Sequence, residues 1–136
     1  TDAVKLLIGR GKKAAAHTTS ESNAVLGAND CIQLNALNSI ARDKILSEHM
    51  SSGIEIPCRD GVMIGPDVKI GSDTCILPGT ILRGKTVLGS GCTVGPNSFL
   101  SDCIVGDDVT LCSVQCENST IKSNQAVAPF SVIKQA

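Results

Sequence analysis

From Ile64 onward an aliphatic residue returns at every sixth position: Ile64, Ile70, Ile76, Leu82, Leu88, Val94 and Leu100 follow one another without a miss. Six is neither the 3.6 of an α-helix nor the 2 of a half-exposed strand, and a helix would scatter these side chains around its axis. A fixed short period predicts a stacked solenoid, in which each repeat covers the apolar side of the next. The fifth position of the hexad is small or β-branched (Val68, Thr74, Thr80, Thr86, Cys92, Ser98, Val109). The second is repeatedly glycine (Gly65, Gly71, Gly89, Gly95, Gly106), as expected where the backbone turns sharply with no Cβ in the way. Each hexad reads as one short strand plus one corner, and three such sides close a triangular coil.

After Leu100 the spacing shortens to Val105, returns to six at Leu111, shortens again through Cys116 and Ile121, and recovers at Val127 and Ile133. Counting from Ile64 to Ile133 at three sides per coil gives about four coils. Twelve of the thirteen inward positions are then Ile, Leu or Val, and Cys116 is the exception. So narrow a core buries less than the entropy of ordering its chain demands, so the ladders between coils and contacts with further chains must supply the rest. Oligomerisation is expected.

Before the repeat the pattern is helical. Ala3, Val4, Leu7 and Ile8 read as the end of a helix that stops at Gly9-Arg10-Gly11, with a short strand candidate at Lys13 to His17 and a polar loop from Thr18 to Asn23. Leu34, Leu37, Ile40, Ala41 and Ile45 share one face of a second helix of about 18 residues, with Asn29 or Asp30 placed to cap its start and Ser52-Gly53 to end it. The expected divisions are residues 1–31, an arm helix over 32–53, and the β-solenoid over 54–136. The architecture is thus mainly β, preceded by an α-helical arm.

Composition narrows the chemistry. Twelve basic residues against thirteen acidic ones provide no field for nucleic acid or an acidic membrane surface. There is no long apolar run and no basic, apolar leader, so a cytoplasmic setting is expected. Phe99 and Phe130 are the only aromatics, which leaves the core to Ile, Leu and Val. Seven cysteines (Cys31, Cys58, Cys75, Cys92, Cys103, Cys112, Cys116) include no C-x-x-C pair and no neighbouring histidine that would complete a zinc set, so they read as reduced thiols. Asn118-Ser119-Thr120 matches a glycosylation acceptor, a pattern common by chance. Gly9-Arg10-Gly11-Lys12 could pass for a phosphate-binding loop but follows a helix, so it reads as a helix C-cap. His17 and His49 have no Asp, Cys or Ser at catalytic spacing.

Thr1-Asp2 before a helix, Leu26-Gly27-Ala28-Asn29-Asp30 before Ile32-Gln33-Leu34, and an arm helix ending at Glu48-His49-Met50 are followed by the hexads. Together they resemble the bifunctional N-acetylglucosamine-1-phosphate uridyltransferase/glucosamine-1-phosphate acetyltransferase (GlmU) family. The likeness is most specific at Val68-Lys69-Ile70-Gly71, at Pro78-Gly79-Thr80-Ile81-Leu82-Arg83-Gly84 and at Val94-Gly95-Pro96-Asn97-Ser98. It implies that residues 1–31 are the end of a nucleotidyltransferase domain and that the solenoid is a left-handed parallel β-helix forming homotrimers. Hexad spacing alone does not fix the hand.

By the same resemblance Thr1 falls near the sugar nucleotide, and Asn29 on a residue that helps bind the catalytic magnesium. The metal-binding Asp and the Gly-rich nucleotide loop of the family would lie upstream of Thr1. Magnesium, UTP and UDP-N-acetylglucosamine are therefore expected of a parent enzyme and not of this stretch. Simple helix capping accounts for Asn29 equally well. The family's acetyl-transfer base is a histidine on a later coil, and no histidine follows His49. Val127-Ala128-Pro129-Phe130 matches the entry to that site, but Lys134-Gln135 replaces the family's Arg-Pro, so Lys134 stands at a family Arg position. That departure fits a parent that keeps only the uridyltransferase, or a segment cut there. Three readings follow: a trimerising scaffold inactive by itself, a hexapeptide acyltransferase using acetyl-CoA on an amino sugar phosphate, and a related pyrophosphorylase whose β-helix assembles or regulates it.

Overall fold

The computed structural model describes residues 2–20 and 26–134. The chain divides into two compact units between Leu37 and Asn38.

In the first unit, α1 (Asp2–Gly9) ends as its glycines predict. Gly11 takes a φ of +74°, its N–H donates to the Ile8 carbonyl (2.9 Å), and Lys12 N–H donates to the Leu7 carbonyl (3.0 Å). The strand expected at Lys13 to His17 does not form. A strand exists only by pairing, and no ladder among the described residues includes this segment. The loop expected at Thr18 to Asn23 lies partly outside the described residues.

The arm helix is α2 (Cys31–Ser51), which continues past the division into the second unit. It stops at Gly53, where φ is +89° and Ile54 N–H reaches back to the His49 carbonyl (3.1 Å). The apolar face expected along it is not a buried one: Leu34 is 51% exposed, Ile40 and Ala41 are exposed, and Leu37 and Ile45 are half-buried. The fully buried residue is Leu46, which joins the apolar cluster of Ile54, Ile56 and Val62. Helical period marks which side chains share a face, whereas burial requires something against that face, and only the last turns have it.

The second unit is a parallel β-solenoid of about four coils, each made of three short strands. The first coil holds β1 (Met63–Ile64), β2 (Lys69–Ile70) and β3 (Cys75–Ile76). The second holds β4 (Ile81–Arg83), β5 (Val87–Leu88) and β6 (Thr93–Val94). The third holds β7 (Phe99–Ser101), β8 (Ile104–Val105) and β9 (Thr110–Leu111). The fourth holds β10 (Gln115–Glu117), β11 (Thr120–Ile121) and β12 (Ala126–Val127), after which β13 (Val132–Lys134) opens a fifth. Strands stack into three parallel sheets: face one is β1-β4-β7-β10-β13, face two β2-β5-β8-β11, and face three β3-β6-β9-β12.

Register explains the shortened spacings. Leu82 stacks on Leu100, Leu100 on Cys116 and Cys116 on Ile133, so every inward residue read from the sequence meets an inward residue on the next coil. A coil of eighteen residues can lose one or two at its corners and still keep its sheets aligned. One rung precedes those expected: Glu55 bridges Cys75 on face three, with Ile54 and Ile56 buried beside it.

The corners correct the reading of the glycines. The left-handed backbone falls two or three residues after the inward residue: Asp73, Gly79, Gly91, Asn97, Asp108, Asn124 and Phe130 stand at the fourth hexad position and Gly84, Asp102, Ser113 and Asn118 at the third, all at positive φ. Asn and Asp dominate because they tolerate that conformation best after glycine. At the second position Gly95 takes a φ of +108°, as expected of a turn glycine, whereas Gly71, Gly89 and Gly106 have ordinary φ. Those three are required because the next coil's backbone passes directly over them: a Cβ on Gly71 would lie 2.5 Å from the Gly89 carbonyl carbon.

Inward hydroxyls at the fifth position bind successive coils. Buried Thr86 donates from Oγ1 to the Arg83 carbonyl (2.6 Å) and accepts from Cys103 N–H (3.3 Å). Thr74 does the same toward Gly89 O (3.0 Å) and Cys92 N–H (3.2 Å). Thr86→Val keeps the shape and leaves Cys103 N–H without an acceptor, so a loss of about 1–3 kcal/mol is expected. A urea midpoint unchanged from the parent would contradict it.

Candidate functional site

Chemistry gathers at three places. The first is the start of α2. Asp30 Oδ1 accepts from Gln33 N–H (2.7 Å), and Gln33 Oε1 accepts from Asn29 N–H (2.9 Å). This is a variant of the capping box in which Asp30, not Asn29, supplies the capping side chain and Gln33 reaches back one residue further, to Asn29 N–H. It answers the alternative left open for the helix start. Magnesium takes several oxygen ligands in octahedral geometry, usually with carboxylates. One amide on an exposed turn, beside a carboxylate already spent on a helix cap, does not fit it. No group of three His, Cys, Asp or Glu among the described residues could hold a metal. Thr1, the other residue read toward the sugar nucleotide, lies outside the described residues.

The second place is on face one of the solenoid. Lys134 stacks directly on Glu117, and its Nζ sits 3.1 Å from Glu117 Oε2, while Gln115 Nε2 donates to Glu117 Oε1 (2.8 Å). Hydrogen bonds from Gln115 and Lys134 hold the Glu117 carboxyl below its usual range. The ammonium that the sequence placed at an acetyl-site entry therefore ties β13 to β10, and Glu117 competes for it with any anionic ligand. Its partner went unread because residues 117 and 134 meet only after the shortened corners have been counted.

The third place is a shallow cavity of about 300 Å³ on face two, lined by Asp67, Lys69, Lys85 and Val87. The strand register puts Val87 over Lys69. Asp102 Oδ1 accepts from Lys85 N–H (3.0 Å) and Oδ2 from Ser101 Oγ (2.9 Å), which keeps its carboxyl below the usual range. Two ammoniums and one carboxylate line the cavity, which leaves it mildly basic. A groove of this kind suits a small polar ligand, and neither a histidine nor a cysteine is among its lining residues.

Outside these places the reactive groups are subdued. His49, in the last turn of α2, is held below its ordinary value by burial, an effect partly offset by Glu48. Among the described residues it has no hydrogen-bonded Asp, Ser or Cys to make it a catalytic base. All seven cysteines are free thiols. Cys92, Cys103 and Cys116 are buried, and burial raises all three; Cys116, which also faces Cys103, is pushed up to about 11. The thiolate is the nucleophile, so these side chains behave as small core residues. At pH 8 iodoacetamide is expected to label exposed Cys31 long before Cys92, Cys103 or Cys116, which should react only on unfolding. Peptide mass spectrometry showing Cys116 modified in the folded protein as fast as Cys31 would refute this.

No helix among the described residues is long and apolar enough to cross a membrane. Residues 67–101 match the model of the bacterial transferase hexapeptide family (six repeats). The chain is 34% identical over 134 residues to the bifunctional protein GlmU of Geobacillus sp. (strain WCH70), covering 98% of this chain and 29% of that protein. The GlmU of Caldanaerobacter subterraneus subsp. tengcongensis is 37% identical over the same shares of the two chains. That of Fervidobacterium nodosum is 38% identical over 95% of this chain and 28% of its own. The resemblance read from the motifs thus holds across nearly the whole chain, which spans about 29% of the length of the curated relatives it matches.

Proposed function

We propose that this chain is the joining and assembling stretch of a GlmU-like sugar-nucleotide enzyme. In that reading residues 1–31 close a nucleotidyltransferase domain, α2 is the arm, and a left-handed solenoid gathers three copies in the cytoplasm. The parent enzyme makes UDP-N-acetylglucosamine from UTP and N-acetylglucosamine 1-phosphate. The resemblance would place Thr1 near the sugar nucleotide of that reaction; any magnesium it uses would be held by carboxylates elsewhere in the parent, because the turn at Asn29 does not fit the ion by itself. The stretch alone performs no chemistry. The observation that carries the reading is the parallel solenoid led by an arm helix, in a chain that is similar to GlmU proteins from end to end. A uridyltransferase assay of the 136-residue chain with magnesium and both substrates should give no product above the blank. A rate near that of a whole enzyme would overturn the proposal.

A second reading is favoured by the family model at 67–101, whose description names a transferase: a hexapeptide acyltransferase that moves an acetyl group from acetyl-CoA to an amino sugar phosphate. Such transfer needs a base at the acceptor nitrogen. Detection of N-acetylglucosamine 1-phosphate after incubation of the chain with acetyl-CoA and glucosamine 1-phosphate would replace the first reading with this one.

A further inference from the structure

We draw no further inference here: the strongest candidate, the shallow cavity on face two of the solenoid between Asp67, Lys69, Lys85 and Val87, rests on two exposed lysines, and nothing in the structure shows what occupies it.

Discussion

Replacing Gly89 by alanine is expected to cost the folded chain at least about 3 kcal/mol, with a fall in melting temperature on the order of 10 °C or more. The added Cβ would stand 2.6 Å from both the carbonyl carbon and the oxygen of Gly106, and closer still to an Asp107 carboxylate oxygen. None of these can retreat easily. Gly89 N–H is bound to the Val105 carbonyl (2.9 Å) and Gly106 N–H to the Ile121 carbonyl (2.9 Å), so moving one rung breaks the ladder on either side of it. Asp107 is held by Ser90 N–H (2.8 Å). Gly65→Ala is the control, because its nearest neighbours would lie at 3.5 Å or beyond and its φ is ordinary. Thermal melts of the two variants followed by circular dichroism decide the matter: equal melting temperatures would show that close stacking of coils is not what selects glycine here.

Leu100→Ala should be nearly as damaging, at about 2–5 kcal/mol. Leu100 is completely buried, with Leu82 beneath it and Cys116 above. In a globular core the neighbours of a deleted side chain relax into the gap, which softens the penalty. Here each coil contributes one large inward residue per face, and the hydrogen-bonded rungs hold the coils apart, so the cavity stays open. Val132→Ala, at a 63% exposed outward position, should change stability by less than about 0.5 kcal/mol. Urea unfolding reads both, as midpoints at constant slope. A Leu100→Ala midpoint close to that of Val132→Ala would mean that the aliphatic stack is not the main stabilising feature.

These two positions also mark what the chain discloses before its structure is known. Leu100 is one of thirteen inward residues recognisable by spacing alone, because a solenoid core demands the same chemistry at the same interval. Gly89 was legible as a constraint but not as the right one: a recurrent glycine announces either an unusual φ or a close neighbour, and only the stacked coils reveal the neighbour. Leu46 and the rung at Glu55 escaped because neither lies on a repeat. Lys13 to His17 misled because strand-like composition says nothing about whether a partner is present. At the functional positions the gap is wider. The cap at Asn29 and Asp30 was visible as an alternative, whereas the Lys134–Glu117 pair depends on coil length, which the shortened corners alter midway.

The spacing of the ladders has a mechanical consequence. Every strand pairing joins residues sixteen to eighteen apart, as Ile64 with Leu82 or Leu100 with Cys116, and none joins distant parts of the solenoid. Tension applied between its ends meets no single clamp that must fail first. The coils should instead peel away singly, each releasing about 17 residues and lengthening the chain by roughly 55–60 Å at full extension. A force-extension trace of this chain would then be a staircase of small, nearly equal steps.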